Sequence, residues 1–133
     1  MKRKLRMGMI GGGKNAFIGA VHRIAANMDG LIELSSGALS SDPANAVESG
    51  KLLFLPENRI YNTYDEMIKG EKNLPPDQRI DFVSIVTPNH VHFDPAMKAL
   101  ENGFHVMLDK PMTFTLDEAK KLAQKVKETG LVL

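Results

Sequence analysis

Cysteine and tryptophan are absent from the 133 residues, and only two tyrosines occur. Without cysteine there is no disulfide framework, no thiolate zinc site and no cysteine nucleophile, so a hydrophobic core must hold the fold alone. A surplus of one charge is lacking as well: 17 Lys and Arg stand against 16 Asp and Glu, for a net charge of +1. That balance gives no electrostatic reason to expect nucleic acid or an anionic membrane as a partner. The one basic cluster, Lys2 to Arg6, is interrupted by Leu5 and runs straight into an apolar stretch. It reads as a solvated start to the fold. No apolar run approaches the ~20 residues of a membrane span. The N-terminus also lacks the apolar run and small-residue cleavage site of a signal peptide. Together these absences lead to the expectation of a soluble, cytoplasmic protein with no membrane or nucleic-acid partner.

What remains is an ordinary globular composition, 43% hydrophobic and 25% charged. The length suits one domain, and such a chain buries roughly two-thirds of its unfolded surface. Leu5 to Ile10 reads as a strand that stops at three glycines. A helix is expected over Gly19 to Met28, with Val21, Ile24, Ala25 and Met28 on its apolar face. Ile32 to Leu39 is a second strand, followed by Asp42-Pro43 as N-cap and first helical residue of a helix ending near Gly50. Arg59 to Tyr61 is a weak third strand, before a short helix from about Tyr64 to Lys69. Gly70 to Arg79 is polar, holds a Pro-Pro pair and reads as an exposed loop. Phe82 to Val86 has the near-continuous apolar character of a strand covered on both faces. The next helix ends at Asn102-Gly103 and starts either at Asn89 or at Asp94 with Pro95. His105 to Leu108 is another strand, with His105 packed or at an edge. Thr115 to Glu118 is a capping box opening a helix to Thr129, stopped by Gly130. Leu131 to Leu133 opens one more strand, as though a longer protein would continue. Alternation of this kind implies an α/β fold with a mostly parallel sheet and helices on both faces.

Between the first strand and first helix lies Gly11-Gly12-Gly13-Lys14-Asn15-Ala16-Phe17-Ile18-Gly19. Gly11 allows a tight turn off the strand, Gly13 lets the backbone approach a pyrophosphate, and Gly19 lets the helix pack close to the sheet. The helix N-terminus then offers free N–H groups to the anion. The usual fingerprint puts its third glycine three residues after the second, whereas Gly19 follows Gly13 by six. The three extra residues lengthen the loop, bringing Lys14, Phe17 and Ile18 to the diphosphate. Against this stands a plain glycine-rich turn with Lys14 merely solvated; the position directly after the first strand favours binding.

An NAD site usually carries an acid ~20 residues beyond the glycines, at the end of the second strand. Glu33 has that spacing but sits near the strand's start. The strand end is Ser40-Ser41-Asp42. Two hydroxyls suit a 2′-phosphate, and Asp42 suits a 2′-OH, so NAD and NADP both stay open.

Three segments together resemble one family. They are Gly19-Ala20-Val21-His22 closing the glycine loop, the Thr87-Pro88-Asn89 turn with His92, and Asp109-Lys110-Pro111. They are similar to the Gfo/Idh/MocA oxidoreductases, which include glucose–fructose oxidoreductase and inositol dehydrogenases, and the likeness spans essentially the whole chain. The resemblance implies a Rossmann-type doubly wound NAD(P)-binding domain over residues 1–133. It also implies a substrate domain that lies outside this chain, and usually a homo-oligomer. It places Thr87, Pro88, Asn89 and His92 close to the cofactor, and Lys110 beside the nicotinamide as the candidate catalytic residue. Asp109 stands where the family pattern has glutamate; a shorter carboxylate still hydrogen-bonds, with altered reach. Each residue also has a plainer role: Asn89 as a helix cap, Lys110 as a surface lysine. His90 and His92 are two apart and share no helix face, which argues against a metal pair.

The implied reaction is hydride transfer between a nicotinamide and a carbon bearing a hydroxyl, in a sugar, polyol or related substrate. Lys110, if desolvated near the positive nicotinamide, would have a lowered pKa and polarise that hydroxyl. In such enzymes the main acid/base histidine comes from the second domain, so this chain alone is expected to bind dinucleotide weakly and turn nothing over. Two other classes remain open at this stage: a dinucleotide-binding sensor or interaction module without chemistry, and a small α/β scaffold.

Overall fold

Four strands, β1 (Leu5–Gly11), β2 (Ile32–Ala38), β3 (Phe82–Val86) and β4 (His105–Leu108), form one sheet in the computed structural model, which describes residues 3–133. All pairings are parallel and the order is β2-β1-β3-β4. The chain steps outward from β1 to β2, then returns to the other side of β1 as β3. The strand order therefore reverses between β1 and β3, and open α/β sheets bind ligands at the carboxyl ends flanking such a point. Lys2 of the expected basic start lies outside the described residues. Arg3 forks onto the Asp81 carboxylate at 2.7 and 2.7 Å.

Alternating side chains send each strand into two cores. On one face Met7, Met9 and Val86 pack with Leu39 and Leu55, and Ile18 and Ala26 of α1 (Phe17–Asn27) lie against them. On the other, Ile10, Val83 and Ile85 meet Met67 and Ile68 of α3 (Tyr64–Asn73), with Ala96, Ala99 and Leu100 of α4 (Phe93–Glu101). Leu122 of α5 (Leu116–Thr129) closes that layer. Fully burying each large aliphatic side chain contributes about 1.5–3 kcal/mol, so the two layers together outweigh any surface ion pair. The doubly wound reading is what forms.

Several local expectations change. α1 begins at Phe17, before Gly19, and turns the opposite face inward. Val21, Ile24 and Met28 are 41, 66 and 79% exposed, while Gly19, His22, Arg23 and Ala26 face the sheet. The cause is backbone contact: a Cβ on Gly19 would lie 2.4 Å from the Gly12 Cα. That contact sets the rotation of α1 whatever its apolar stripe prefers. α2 (Pro43–Leu52) starts as expected but runs past Gly50.

Arg59 to Tyr61 makes only an isolated parallel bridge between Gly37 and Ile60, after a 3-10 turn at Glu57–Arg59. α3 extends to Asn73, through residues read as loop. Glu71 is the reason. Its carboxylate is fully buried and accepts from Arg59 Nε and Nη2 at 2.7 Å each, from Ile80 N–H at 3.1 Å and from the Tyr61 hydroxyl at 3.3 Å. Leaving either charge of such a pair alone costs about 3–5 kcal/mol, which holds this turn helical. Neither Asn89 nor Asp94 caps α4: Asn89 opens a 3-10 turn and α4 starts at Phe93. The capping box of α5 and the left-handed Gly130 form as read. Leu131 to Leu133 is not a strand, although Val106 N–H donates to Val132 O at 2.9 Å. His105 lies on the edge strand and accepts from Val132 N–H at 3.0 Å.

Candidate functional site

A cleft of about 630 Å³ opens at the carboxyl ends of β1, β2 and β3. Of the residues singled out in the sequence, Gly11, Gly13, Ser40, Ser41, Thr87 and Pro88 line it. Three distant parts of the chain thus converge on the point where the strand order reverses. The cleft also takes in Gly12, Asn15, Ala16, Asn45, Asn62, Thr63, Tyr64, His90 and Val91. Gly12, Asn15 and Ala16 belong to the glycine loop, whereas no spacing marks Asn62 to Tyr64, which reach the mouth only because the chain returns from the Gly37–Ile60 bridge into α3.

The floor is the glycine loop. Gly11 and Gly12 have φ of +80° and +76°, the left-handed region, which only glycine adopts without cost. Gly13 is glycine for a different reason from the one its sequence position suggests: a Cβ there would meet Leu39 O at 2.8 Å and Ser49 Oγ at 2.9 Å. Its N–H donates to Leu39 O at 3.0 Å, pinning the loop to the end of β2. Arg23 Nη1 donates to Gly12 O at 2.7 Å, and burial holds its guanidinium pKa below the usual arginine range.

Ala16, at the mouth of the cleft, is the N-cap of α1. It provides no side-chain acceptor, and the first turn of α1 carries no acid. The contrast with α2, α3 and α5 is plain, since Asp42, Thr63 and Thr115 cap those helices. An uncapped N-terminus leaves donor N–H groups and a partial positive charge, about half an elementary charge, for an anion. Thr87 Oγ1 and Asn89 Oδ1 are buried without a hydrogen-bond partner among the described residues. Glycine floor, free helix end and orphaned polar atoms fit a dinucleotide with its diphosphate on α1.

Other named residues sit outside the cleft lining. The Lys14 ammonium pairs with Glu48, and its N–H donates to Ser49 Oγ at 3.0 Å. Phe17 and Ile18 belong to the first turn of α1 and not to an extended loop; Phe17 is exposed, Ile18 packs inward. Asp42 accepts from Ala44 and Asn45 N–H at 3.3 Å each, as the cap of α2. Ser40 Oγ accepts from Asp42 N–H at 3.1 Å and from Asn45 Nδ2 at 3.2 Å. Ser49 Oγ in turn donates to Asn45 Oδ1 at 3.1 Å. A single hydrogen-bonded chain therefore runs from the glycine loop to the end of β2.

His92 is buried, with Nε2 2.8 Å from Thr87 O and Nδ1 3.0 Å from Pro111 O. It ties the turn after β3 to the corner after β4. Lys110 is exposed at that corner, so the desolvation expected for it is not supplied by residues 3–133. Asp109 is largely buried, with His22 Nε2 3.6 Å from Oδ1.

Tyr64 lines the cleft and donates to Asp94 Oδ2 at 2.7 Å. That hydrogen bond, with burial, pushes its phenol up to about 12. Tyr61 is pushed up to about 12 chiefly by burial and then by the Glu71 charge. Both shifts are upward from the ordinary value of about 10, so the stability they confer is complete below pH ~10 and lost as pH rises through about 12. With no tryptophan and only two tyrosines, tyrosinate absorbance reads this directly. The folded chain should ionise near pH 12 and the unfolded chain about two units lower; coincident curves would contradict it.

Among the described residues, no helix is long and apolar enough to cross a membrane. Residues 5–133 match the family described as Gfo/Idh/MocA oxidoreductases, NAD-binding Rossmann fold. An uncharacterized oxidoreductase of Bacillus subtilis, YfiI, is 32% identical over 134 aligned positions, covering 100% of this chain and 34% of that protein. The crystal structure of an oxidoreductase from Sinorhizobium meliloti superposes with a TM-score of 0.91 at 48% identity, over 98% of this chain and 35% of that one. An inositol dehydrogenase homologue from Azotobacter vinelandii, solved with NADH and myo-inositol, gives 0.93 at 37% identity, over 98% and 34%. The chain spans about a third of the length of these relatives.

Proposed function

The chain belongs to the oxidoreductase family with an NAD-binding Rossmann fold, and on that premise we propose that it is the cofactor-holding domain of an NAD-dependent dehydrogenase acting on a polyol, sugar or related hydroxyl carbon. In this reading residues 1–133 form the dinucleotide domain, and the substrate domain occupies the part of the family length that this chain does not span. The observation that carries it is the uncapped N-terminus of α1 opening onto the glycine-floored cleft at the point where the strand order reverses. The polyol class rests on the Azotobacter vinelandii homologue, which was solved with NADH and myo-inositol.

A nicotinamide dinucleotide bound there supplies the hydride acceptor or donor. The chain's own residues do the holding. The first turn of α1 takes the diphosphate, Ser40 and Ser41 face the adenosine ribose, and Thr87 to Asn89 supply polar atoms on the nicotinamide side. Lys110, at the corner after β4, contacts the substrate hydroxyl and polarises it once a second domain excludes water.

The charge around the end of β2 favours NAD over NADP. Asp42 keeps its carboxylate at the start of α2, Lys14 is neutralised by Glu48, and no arginine lines the cleft. A 2′-phosphate at the end of β2 would lie near the Asp42 carboxylate with no arginine in the cleft lining to receive it. Titrating the chain with each reduced cofactor, read by nucleotide fluorescence, should show NADH tighter than NADPH by about tenfold or more, the equivalent of 1.4 kcal/mol. Equal affinities, or tighter NADPH, would refute the preference.

A further inference from the structure

α1 presents two polar side chains to the sheet, one turn after the glycine contact. Arg23 reaches back to Gly12, as described. His22 reaches the other way, to β3 and to the end of β4. Its Nδ1 lies 3.1 Å from Ser84 Oγ and its Nε2 lies 3.6 Å from Asp109 Oδ1. Ser84 is fully buried, and its hydroxyl also approaches the Met107 sulfur at 3.9 Å. The His22 and Asp109 side chains are only 15 and 19% exposed.

A space-filling histidine would not need this pairing. Ser84 can donate to Nδ1 or accept from it, because a hydroxyl does both. Where the Ser84 hydroxyl donates to Nδ1, the neutral ring carries its proton on Nε2, facing Asp109. The separation of 3.6 Å makes the contact electrostatic rather than a hydrogen bond. Among the described residues no other cation or N–H approaches that carboxylate. A largely buried carboxylate with one polar neighbour takes its orientation from that neighbour. Asp109 in turn is the residue before Lys110, and its N–H is fixed to Ile85 O at 3.1 Å.

We infer that His22 is a positioning residue, which through Asp109 fixes the Lys110 corner relative to the helix that carries the diphosphate site. This rests on the dinucleotide reading of the cleft. Residues 22 and 23 of one helical turn then lock the two halves of the site: Arg23 the diphosphate end, His22 the nicotinamide end.

The test compares NADH with ADP-ribose, which lacks the nicotinamide, on the purified chain. His22→Leu keeps the bulk and loses both contacts. His22→Asn keeps a polar group only at the Ser84 side, and His22→Gln can return an N–H to Asp109. Leu and Asn variants should lose about fivefold in NADH affinity, within the range of coupling between residues of one polar network. Gln should stay within about twofold, and ADP-ribose affinity should hold within about twofold throughout, since the diphosphate contacts are untouched. Asp109→Asn should copy the Leu variant, and the two changes together should add nothing further. Unchanged NADH affinity in the folded Leu and Asn variants overturns the inference, as does a parallel fall for ADP-ribose. Wild-type chain that binds neither ligand overturns the cleft reading itself, and the inference with it.

Discussion

Gly19→Ala should destabilise the chain by about 1–3 kcal/mol, the range for forcing a methyl group into a filled interior, and weaken NADH binding more than about tenfold. The added Cβ would sit 2.4 Å from Gly12 Cα, 2.7 Å from Gly12 O and 2.9 Å from Gly12 C. These are backbone atoms, so no rotamer change relieves the clash. The only remedies are to lift α1 off the glycine loop or to distort the loop. Lifting α1 by about 1 Å stretches the Arg23 contact to Gly12 O and moves the first-turn N–H groups away from the diphosphate. Misplacement on that scale is costly at a functional site. Urea unfolding gives the stability change and NADH titration the binding change. Wild-type values in both would show that α1 and the loop are not in van der Waals contact.

Much of the fold is legible in the sequence. The runs at Leu5 to Ile10, Phe82 to Val86 and His105 to Leu108 are apolar and bounded by turn residues. They became β1, β3 and β4 because local pattern and burial agree there. The Thr115 to Glu118 capping box and Gly130 marked both ends of α5 because these signals are local by nature. The glycine loop was legible as a position, directly after the first strand.

What was not legible depends on contacts between distant residues. The rotation of α1 follows from Gly12 touching Gly19, against the Val21, Ile24 and Met28 stripe. The last turn of α3 follows from Arg59 seeking Glu71. Arg59 to Tyr61 has only Gly37 to pair with and stays an isolated bridge. Asn62, Thr63 and Tyr64 reach the cleft only because that bridge aims them there. The role of Gly13 changed for the same reason. Its missing side chain makes room for Leu39 and Ser49, which no spacing rule foresees. The placement of Asp109 and Lys110 after a strand end was readable, but the His22 contact joins residues 87 positions apart.

The proposed diphosphate site depends on the N-terminus of α1 being left uncapped. Ala16→Asp tests it most directly, because the two alternatives move two observables in different directions. Ala16 already has the extended φ of −105° and ψ of 114° of an N-cap residue. An aspartate there would accept from the first-turn N–H groups, as Asp42 does in α2. Capping of this kind stabilises by about 0.5–2 kcal/mol. It would also fill the anion site with a negative charge, which at a helix N-terminus is worth up to about 2 kcal/mol, or more than tenfold in affinity. The predicted result is a chain that unfolds at a higher urea concentration than wild type yet binds NADH at least about tenfold more weakly. A chain that gains the stability and keeps wild-type NADH affinity would contradict the claim, because the diphosphate would then rest on something other than α1.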